Sequence, residues 1–344
     1  MKALVLEEYH KLVYKDVPEP QIQSNEVLVK VHACGICGSD VHGMDGSSGR
    51  RIPPIIMGHE AAGIITKTGK YVRGWQVGDR VTFDSTIYPI DDWFTRKGMY
   101  NLSDNRMVLG VSCADYRRHG AFAEYVAVPQ YILYKIPEQV TFNQAAIVEP
   151  VAVAIHAVEL TSVAVNDTAV VVGAGIIGLF MIQILKIRGC GQIIAVDLQP
   201  ERLELAKDLG ASETLDPSEG NVVEQVYNLT ENRGADVAFE AVGITSTVKL
   251  AINSVRKGAT VTLVGNLMRS IELPLQTVVT RQLRLQGSCA LCGEYPTALS
   301  LIEQGRINVD KILSVTAALS EGAQWFKRLY NKEKGLLKVI LNPC

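Results

Sequence analysis

The sequence lacks several features that would each indicate a particular class of protein. It has no long run of like charge: 34 Lys and Arg stand against 36 Asp and Glu in 344 residues, and the formal net charge is −2. This balance gives no reason to expect nucleic acid or an anionic membrane as a partner. A small-molecule partner is the expectation that remains.

Cysteine is scarce, and its number is odd. The seven cysteines are unevenly spaced, at Cys34, Cys37, Cys113, Cys190, Cys289, Cys292 and Cys344. A disulfide framework usually has an even number of cysteines at closer spacing, and no secretory signal follows Met1. We therefore expect reduced thiols in a cytoplasmic protein.

Long apolar runs are also missing, with one borderline exception at residues 169–185. That run is close to the threshold of about 18 residues for a membrane span. Within it, a β-branched stretch gives way at Gly173, Gly175 and Gly178 to a helical pattern. A buried strand, a tight turn and a buried helix therefore account for it better than a membrane span.

The length and the hydrophobic content of 47% predict two domains. In the first 140 residues, Val27, Val29 and Val31 alternate with polar neighbours, which predicts a β-rich domain, irregular or a small barrel. Thr141 and Gln144 have capping-box spacing. They predict a helix over 145–160, interrupted by Pro150.

From residue 167 onward, strand patterns alternate with helix patterns. Strands are predicted at 169–172, 192–196, 237–240, 260–264 and 283–286, and helices are predicted to start near Ile176, Pro200, Ser246 and Glu294. This alternation predicts a doubly wound parallel sheet, an α/β fold. The last predicted strand, 336–341, lies beyond that sheet, so we expect the chain to return to the first domain.

A dinucleotide fingerprint, G-x-G-x-x-G, spans residues 173–178 between a predicted strand and a predicted helix. Gly173 permits a tight turn, Gly175 lets the backbone approach a pyrophosphate, and Gly178 allows close helix packing. The amides at the helix start, which include those of Ile176 and Ile177, favour an anion. By itself the motif also fits an ordinary glycine turn.

The next predicted strand ends in an acidic residue, Asp197, 19 positions after Gly178. A carboxylate there accepts hydrogen bonds from the ribose hydroxyls of an adenosine and repels a 2′-phosphate, which favours NAD over NADP. Arg202 lies nearby and is a candidate cofactor contact, with a solvated helix residue as the alternative. The combination of strand, glycines, helix and acid predicts a dinucleotide site.

A second group of residues carries the ligand types that zinc takes at a catalytic site. The candidates are Cys37, His59, Glu60 and Glu149. Spacing alone leaves two alternatives open. The Cys34-x-x-Cys37 pair also fits a structural metal knuckle or a redox pair, and Cys289-x-x-Cys292 could supply a second half.

Several motifs stand in an order that resembles one family over the whole chain: GICGSDVH at 35–42, GHE at 58–60, GDRV at 78–81, GAFAEYV at 120–126, EP at 149–150, and GAGIIG with its acidic residue. They resemble the zinc-dependent medium-chain alcohol dehydrogenases, and within them the polyol dehydrogenases of sorbitol, iditol and galactitol-phosphate type. The resemblance implies a GroES-like β-rich catalytic domain, residues 1–152 and 290–344. It implies a Rossmann NAD-binding domain at 153–289.

The resemblance also implies roles for individual residues. Cys37, His59 and Glu60 would hold the catalytic zinc, with Glu149 as a further ligand or a water-linked partner, and Cys34 would be a buried small residue. Ser39 corresponds to the hydroxyl that takes the substrate proton, and His42 to the outer relay histidine; the alternatives are a helix N-cap and a surface histidine. The nicotinamide would be lined by Val264, Gly265, Asn266, Ser288 and Cys289.

The family's second, structural zinc site departs from the pattern. Its four cysteine positions read Pro89, Asp92, Thr95 and Ser103, and Pro, Thr and Ser cannot replace thiolates as zinc ligands. We therefore predict one zinc per chain. The lobe at 85–105 would be held by packing, with Trp93, Phe94 and Tyr100 as candidates, or be mobile.

The implied reaction is reversible oxidation of a secondary alcohol on a polyol or sugar to a ketone. Zinc would act as a Lewis acid, hydride would pass to NAD, and the proton would leave through Ser39, the cofactor ribose and His42. Sorbitol itself is in doubt because Ser288-Cys289 replace an Arg-aromatic pair of sorbitol-type enzymes. Galactitol phosphate, a threonine-like amino alcohol, an inositol or a sugar acid stay open. Arg50 and Arg51 fit an acidic substrate or solvated surface charge.

Two other classes compete with this interpretation. One is a zinc-free enzyme of quinone-reductase type with the same fold, in which the metal-type residues would have no use. The other is a non-catalytic NAD-binding protein, which would not need Ser39 and His42. The resemblance further implies a homodimer or homotetramer.

Overall fold

The computed structural model describes residues 1–113 and 116–343, apart from the side chain of Cys113. The chain divides into two compact units. One comprises Met1–Glu149, Tyr295–Gly305 and Val309–Cys344, and the other Pro150–Glu294 and Arg306–Asn308. The domain boundaries inferred from the resemblance, at 152/153 and 289/290, stay a proposal. Cys344 and the Cys113 thiol lie outside the described part, whereas Cys34, Cys37 and Cys190 are free thiols.

The strands and helices are numbered along the chain. The strands are β1 (Lys2–Glu8), β2 (Lys11–Asp16), β3 (Glu26–Gly35), β4 (Ile55–Ile56), β5 (Glu60–Thr68), β6 (Arg80–Phe83), β7 (Thr86–Ile87), β8 (Met107–Val108), β9 (Ser112–Cys113), β10 (Tyr116–Arg117), β11 (Tyr125–Pro129), β12 (Leu133–Lys135), β13 (Thr168–Val172), β14 (Gln192–Val196), β15 (Glu213–Leu215), β16 (Ala235–Glu240), β17 (Val255–Leu263), β18 (Arg284–Gly287), β19 (Leu313–Ala318) and β20 (Lys338–Asn342). The α-helices are α1 (Gly38–Met44), α2 (Trp93–Arg96), α3 (Phe142–Ala146), α4 (Val148–Glu159), α5 (Ile176–Arg188), α6 (Pro200–Leu209), α7 (Val222–Leu229), α8 (Thr245–Ser254), α9 (Leu275–Thr280), α10 (Tyr295–Glu303) and α11 (Gly322–Tyr330). Short 3₁₀ turns cover Tyr100–Leu102, Gln130–Ile132 and Leu319–Glu321.

The first unit is built on a seven-stranded sheet. Its strand order is β12-β6-β5-β3-β20-β19, and β11 also pairs with β3. The alternating residues Val27, Val29 and Val31 of β3 are fully buried, as the sequence pattern predicts. The last strand, β20, runs antiparallel to β3 with Leu341 opposite Cys34, so the chain end returns to this sheet.

The helical stretch after Thr141 is two helices rather than one. The predicted capping box is confirmed, because the Thr141 side chain accepts from the Gln144 amide and Gln144 reaches back to the Thr141 amide. The break comes at Ile147, before Pro150, so the prediction that Pro150 interrupts the helix was wrong. Pro150 lies in the first turn of α4, where a missing amide hydrogen costs no helical hydrogen bond.

The second unit contains a six-stranded parallel sheet in the order β15-β14-β13-β16-β17-β18. Counted along the unit, this is 3-2-1-4-5-6, the doubly wound order in which ligands bind at the carboxyl ends of the strands near the reversal. The parallel sheet is therefore confirmed; β15, α7 and α9 have no counterpart among the predicted elements. Residues 169–185 form β13, a turn and most of α5, and no helix in the described ranges is long and apolar enough to cross a membrane.

The lobe at 85–105 is held by a tyrosine cluster. The Tyr100 hydroxyl donates to Oδ2 of the buried Asp84 at 2.6 Å, and the rings of Tyr88 and Tyr100 stack with their centroids 4.3 Å apart. Tyr131 packs edge-on against Tyr88. Tyr100 thus has the packing role predicted for it, whereas Trp93 is 62% exposed and its ring packs edge-on against the neighbouring Phe94, with the ring centroids 5.0 Å apart.

Of the four positions that the resemblance relates to a structural zinc site, Pro89, Asp92, Thr95 and Ser103, one has a clear role in the structure. Asp92 is the N-cap of α2, and its Oδ1 accepts from the amides of Phe94 and Thr95 at 2.9 and 3.1 Å. The hydroxyls of Thr95 and Ser103 are buried without a hydrogen-bond partner among the described residues. One carboxylate engaged in capping and two hydroxyls are a poor donor set for zinc.

Tyr100→Phe is expected to destabilise the first unit by about 1–3 kcal/mol, since a hydrogen bond to a buried carboxylate is lost while the ring stack remains. Urea unfolding of the purified protein measures the loss, and limited proteolysis reports whether cleavage sites at 85–105 open. Tyr71→Phe is the matched control because Tyr71 is 59% exposed. Equal stability of the two variants would contradict the role given to the Tyr100 hydroxyl.

Candidate metal and cofactor sites

The metal-type residues begin at the N-terminus of α1. Cys37 is the N-cap, and its Sγ accepts from the Ser39 amide at 3.5 Å. The Asp40 carboxylate completes a capping box by accepting from the Cys37 amide at 3.4 Å. The alternative that Ser39 is the N-cap is therefore wrong, and the Ser39 and His42 side chains are exposed on this helix.

His59 and Glu60 follow a turn that requires glycine. Gly58 has φ of +94°, and a Cβ there would lie 2.9 Å from Cys34 Sγ. The turn brings His59 and Glu60 to Cys37, so that one ligand atom from each residue lies within 4.8 Å of the others. Within the ranges 1–113 and 116–343, no other group of three or more such side chains lies so close together, and Cys34 is buried outside the group.

A buried carboxylate backs the histidine. Nδ1 of His59 lies 3.4 Å from Asp40 Oδ1, which leaves Nε2 as the ring nitrogen available to a metal ion. Burial alone would lower the pKa of His59, but the Asp40 and Cys37 side chains raise it well above its usual value. Burial acts in the opposite direction on Asp40, where His59 and Arg51 hold the pKa far below its usual range.

A buried lysine backs Glu60. Nζ of Lys338, on β20, donates to Glu60 Oε2 and to the Ile36 carbonyl oxygen, the latter at 3.1 Å. Burial would lower the pKa of Lys338, yet the Glu60 carboxylate raises it. A Cβ on Gly35 would lie 2.4 Å from Glu60 Oε2, so the strand keeps glycine where this ion pair packs.

Glu149 lies in the first turn of α4 and is not part of the three-residue group. Burial, followed by the charge of Glu60, raises the pKa of Glu149 to about 7. The charge of Glu60 therefore acts on the Glu149 carboxylate, although Glu149 is not one of the three grouped residues. The role of Glu149 as a further ligand or a water-linked partner of the metal ion stays a prediction.

The residues present fit a zinc ion. One thiol, one imidazole and one carboxylate match the three protein ligands of a catalytic zinc site, in which water or substrate takes the fourth position. Cys37, Glu60 and Glu149 bring three acidic groups together, and the charges of His59 and Lys338 act in the opposite direction on Glu149. A bound cation would relieve their mutual repulsion.

Sequence reasoning missed two buried positive charges near these ligands, Arg51 and Lys338. Arg51 is not a solvated surface charge: its side chain is 3% exposed and its Nη2 lies 2.9 Å from Asp40 Oδ1. Arg50 is exposed, as expected. Lys338 could have been identified from the sequence, because it is a charged residue within an apolar strand pattern.

The predicted cofactor turn connects β13 to α5. Gly173 has φ of +97°, and a Cβ on Gly178 would lie 1.9 Å from the Gly173 carbonyl oxygen. Gly175 is the N-cap of α5, and a Cβ there would meet nothing within 4 Å. This open side, next to the amides of Ile176 and Ile177 at a helix start, fits the approach of a pyrophosphate.

Asp197 follows β14 and contacts this turn directly. Its Oδ2 accepts from the Ala174 amide at 2.8 Å, and its Oδ1 accepts from the Gln199 amide at 3.0 Å. Nη1 of Arg202 lies 3.6 Å from Asp197 Oδ2. Arg202 is only partly exposed, so it is not a freely solvated helix residue, and its Nε is buried without a hydrogen-bond partner among the described atoms.

The remaining cofactor candidates follow the neighbouring strands β17 and β18. The amides of Val264 and Gly265 donate to the Glu240 carbonyl oxygen, and Asn266 comes next. Ser288 and Cys289 directly follow β18, which pairs with β17. The structure thus brings both predicted segments to the carboxyl edge of the sheet.

The carboxylate of Glu240 was missed by sequence reasoning. This fully buried side chain at the end of β16 accepts from the amides of Val242 and Gly243 and from the Thr247 hydroxyl. These bonds fix the loop that follows β16. A Cβ on Gly173 would lie 2.6 Å from Val242 Cγ2, so Glu240 holds the loop that packs against the glycine turn.

Comparison with known proteins shows the class to which this fold and these sites belong. Residues 23–138 match the alcohol dehydrogenase GroES-like domain, and residues 177–304 match the zinc-binding dehydrogenase family. Two relatives are the D-xylulose reductase A of Aspergillus niger, 33% identical over 98% of this chain and 96% of that protein, and the sorbitol dehydrogenase of Bacillus subtilis strain 168, 32% identical over 100% and 97%. A solved zinc-binding dehydrogenase from Sinorhizobium meliloti 1021, bound to NADP, superimposes with a TM-score of 0.92 at 32% identity over 99% of both chains.

The chain therefore belongs to the zinc-dependent medium-chain alcohol dehydrogenase family. Its relatives confirm the resemblance to the polyol dehydrogenase branch, and the GroES-like and Rossmann fold class is confirmed with it. The protein is an oxidoreductase.

Proposed function

We propose that this protein is an NAD-dependent dehydrogenase that reversibly oxidises a secondary alcohol of a polyol, sugar or sugar derivative to a ketone. The observation that carries the proposal is the group of Cys37, His59 and Glu60, with their ligand atoms within 4.8 Å of one another. The names of the relatives, a sorbitol dehydrogenase and a xylulose reductase, support a polyol or sugar as the substrate.

Cys37, His59 and Glu60 would hold one zinc ion per chain, with Glu149 as a further ligand or a water-linked partner. Zinc, when bound, supplies a Lewis acid that lowers the pKa of the substrate hydroxyl, and NAD supplies the hydride acceptor. Ser39 Oγ would take the proton of the substrate hydroxyl while passing its own proton on towards His42. His42, exposed on the same helix, would release a proton to solvent.

The cofactor would be bound by the glycine turn and by the segments that follow β14, β17 and β18. The proposed contacts are Gly173, Gly175, Ile176, Ile177, Gly178, Asp197, Arg202, Val264, Gly265, Asn266, Ser288 and Cys289. The Asp197 carboxylate would accept from ribose hydroxyls and disfavour a 2′-phosphate, hence NAD rather than NADP. The protein would work as a homodimer or homotetramer in the cytoplasm.

Metal analysis combined with NAD reduction over a panel of polyols tests this function. We expect about one zinc per chain, activity on at least one polyol or sugar acid, and loss of activity on chelation that added zinc restores. The panel contains sorbitol, galactitol 1-phosphate, threonine, an inositol and an aldonic acid.

Each other outcome excludes part of the proposal. Two zinc ions per chain would contradict the assignment of Pro89, Asp92, Thr95 and Ser103 as a lobe without metal. Activity that persists in metal-free protein, especially on quinones, would identify a zinc-free reductase. NAD binding with no turnover of any alcohol would identify a non-catalytic binding protein.

A further inference from the structure

A buried arginine connects the candidate relay hydroxyl to the candidate metal ligands. Nη2 of Arg51 lies 3.2 Å from Ser39 Oγ and 2.9 Å from Asp40 Oδ1. The same Asp40 oxygen lies 3.4 Å from Nδ1 of His59. One guanidinium nitrogen thus joins the hydroxyl that would handle the substrate proton to the carboxylate that backs a metal ligand.

The position of this arginine is built into α1. A Cβ on Gly43 would lie 2.1 Å from Arg51 Cγ, and that glycine has an ordinary negative φ. Glycine at 43 is therefore explained by the space that the Arg51 stem fills, since no left-handed backbone requires it. The stem packs against the helix that carries Ser39 and Asp40.

The bond from Arg51 constrains the Ser39 hydroxyl. A serine side chain on an exposed helix turn can occupy several staggered rotamers, and its hydroxyl has one hydrogen to donate and two lone pairs to accept with. When Arg51 donates to one lone pair, the second lone pair stays available for the substrate proton. The hydroxyl's own hydrogen stays available to be passed on.

We propose that Arg51 is a positioning residue that holds Ser39 Oγ in the orientation needed for proton transfer. The catalytic effect of this orientation rests on the proposed dehydrogenase function. The orientation of Ser39 Oγ itself rests only on the distances to Arg51 given above. Asp40 supplies the counter-charge that allows a guanidinium to be buried here. Arg51 accordingly acts through Ser39, not through the metal ion.

A double-mutant cycle in kcat tests the proposal. We expect Arg51→Met to lower kcat by about 10-fold or more and Ser39→Ala by about 100-fold, within the range of general acid-base contributions. If Arg51 acts through Ser39, Arg51→Met should lower kcat by less than about 3-fold in the Ser39→Ala background. A full 10-fold loss in that background would overturn the proposal.

Two controls separate positioning from a damaged site. Arg50→Met removes the neighbouring exposed arginine and should leave kcat unchanged. Zinc content should stay the same in Arg51→Met, whereas its loss would assign Arg51 to the metal site and contradict the proposal. Should Arg51→Met fail to fold, Arg51→Lys keeps the charge beside Asp40, but its shorter stem withdraws the donor from Ser39, and the same cycle applies.

Crystal structures provide a test that does not depend on turnover. Ser39 Oγ should occupy one rotamer in the parent protein and a different or mixed rotamer in Arg51→Met or Arg51→Lys. An unchanged Ser39 rotamer would overturn the proposal even if the protein oxidises alcohols. If the protein oxidises no alcohol, the proposed dehydrogenase function is wrong, and the Ser39 rotamer alone tests the role of Arg51.

Discussion

Cys37→Ser is expected to lower kcat/KM for alcohol oxidation by about 1,000-fold or more, since a Lewis acid contributes several kcal/mol and each 1.4 kcal/mol is tenfold. A neutral hydroxyl cannot replace a thiolate as a zinc ligand, so the zinc content should fall with the activity. NAD binding should be unchanged, because Cys37 and the glycine turn belong to different units of the chain. Metal analysis, steady-state kinetics and NAD titration measure the three quantities.

Cys34→Ala is the matched control, since Cys34 is the other thiol of the same C-x-x-C sequence and is fully buried outside the ligand group. This variant should keep its zinc and its activity. Loss of NAD binding in Cys37→Ser would contradict the separation of the two sites. Full zinc content in Cys37→Ser would show that Cys37 is not a zinc ligand.

Asp197→Ser is expected to shift the ratio of kcat/KM values for NADP and NAD by about 100-fold towards NADP. The variant removes a charge that repels a 2′-phosphate, and such like-charge contacts cost several kcal/mol. It also removes the acceptor of the Ala174 amide, so part of the loss with NAD would come from a less ordered glycine turn. Initial rates with both cofactors at several concentrations separate the two effects.

Asp216→Ser is the control for this variant. Asp216 directly follows β15, the strand paired with β14, and its carboxylate accepts only a local amide bond from Ser218 in the described contacts. The cofactor ratio should not change in that variant. A constant ratio in Asp197→Ser would assign cofactor choice to another residue, of which Arg202 is the nearest charged candidate.

Features that depend on neighbouring residues in the chain were predictable from the sequence. The capping box at Thr141 and Gln144 and the G-x-G-x-x-G turn are local, because their geometry is set by residues within one helical turn of each other. The helix break was predicted at Pro150 but lies at Ile147. A proline in the sequence indicates a helix boundary, but it does not show whether a helix ends before it or begins there. Trp93, in α2, shows a related limit: the sequence shows that an aromatic residue carries apolar area but not which way its side chain faces.

The sequence by itself determined the class of protein, the alternation of strands and helices in the second unit, and the residue types of both sites, because each motif is short and its chemistry depends on residue identity. Only the tertiary structure decided which charges are buried beside them. Arg51 and Lys338 are separated from their partners Asp40 and Glu60 by 11 and 278 residues, and nothing in a linear pattern specifies such pairs. Burial makes these charges depend on each other, because an unpaired charge in the interior costs several kcal/mol, and burial is a property of the folded chain.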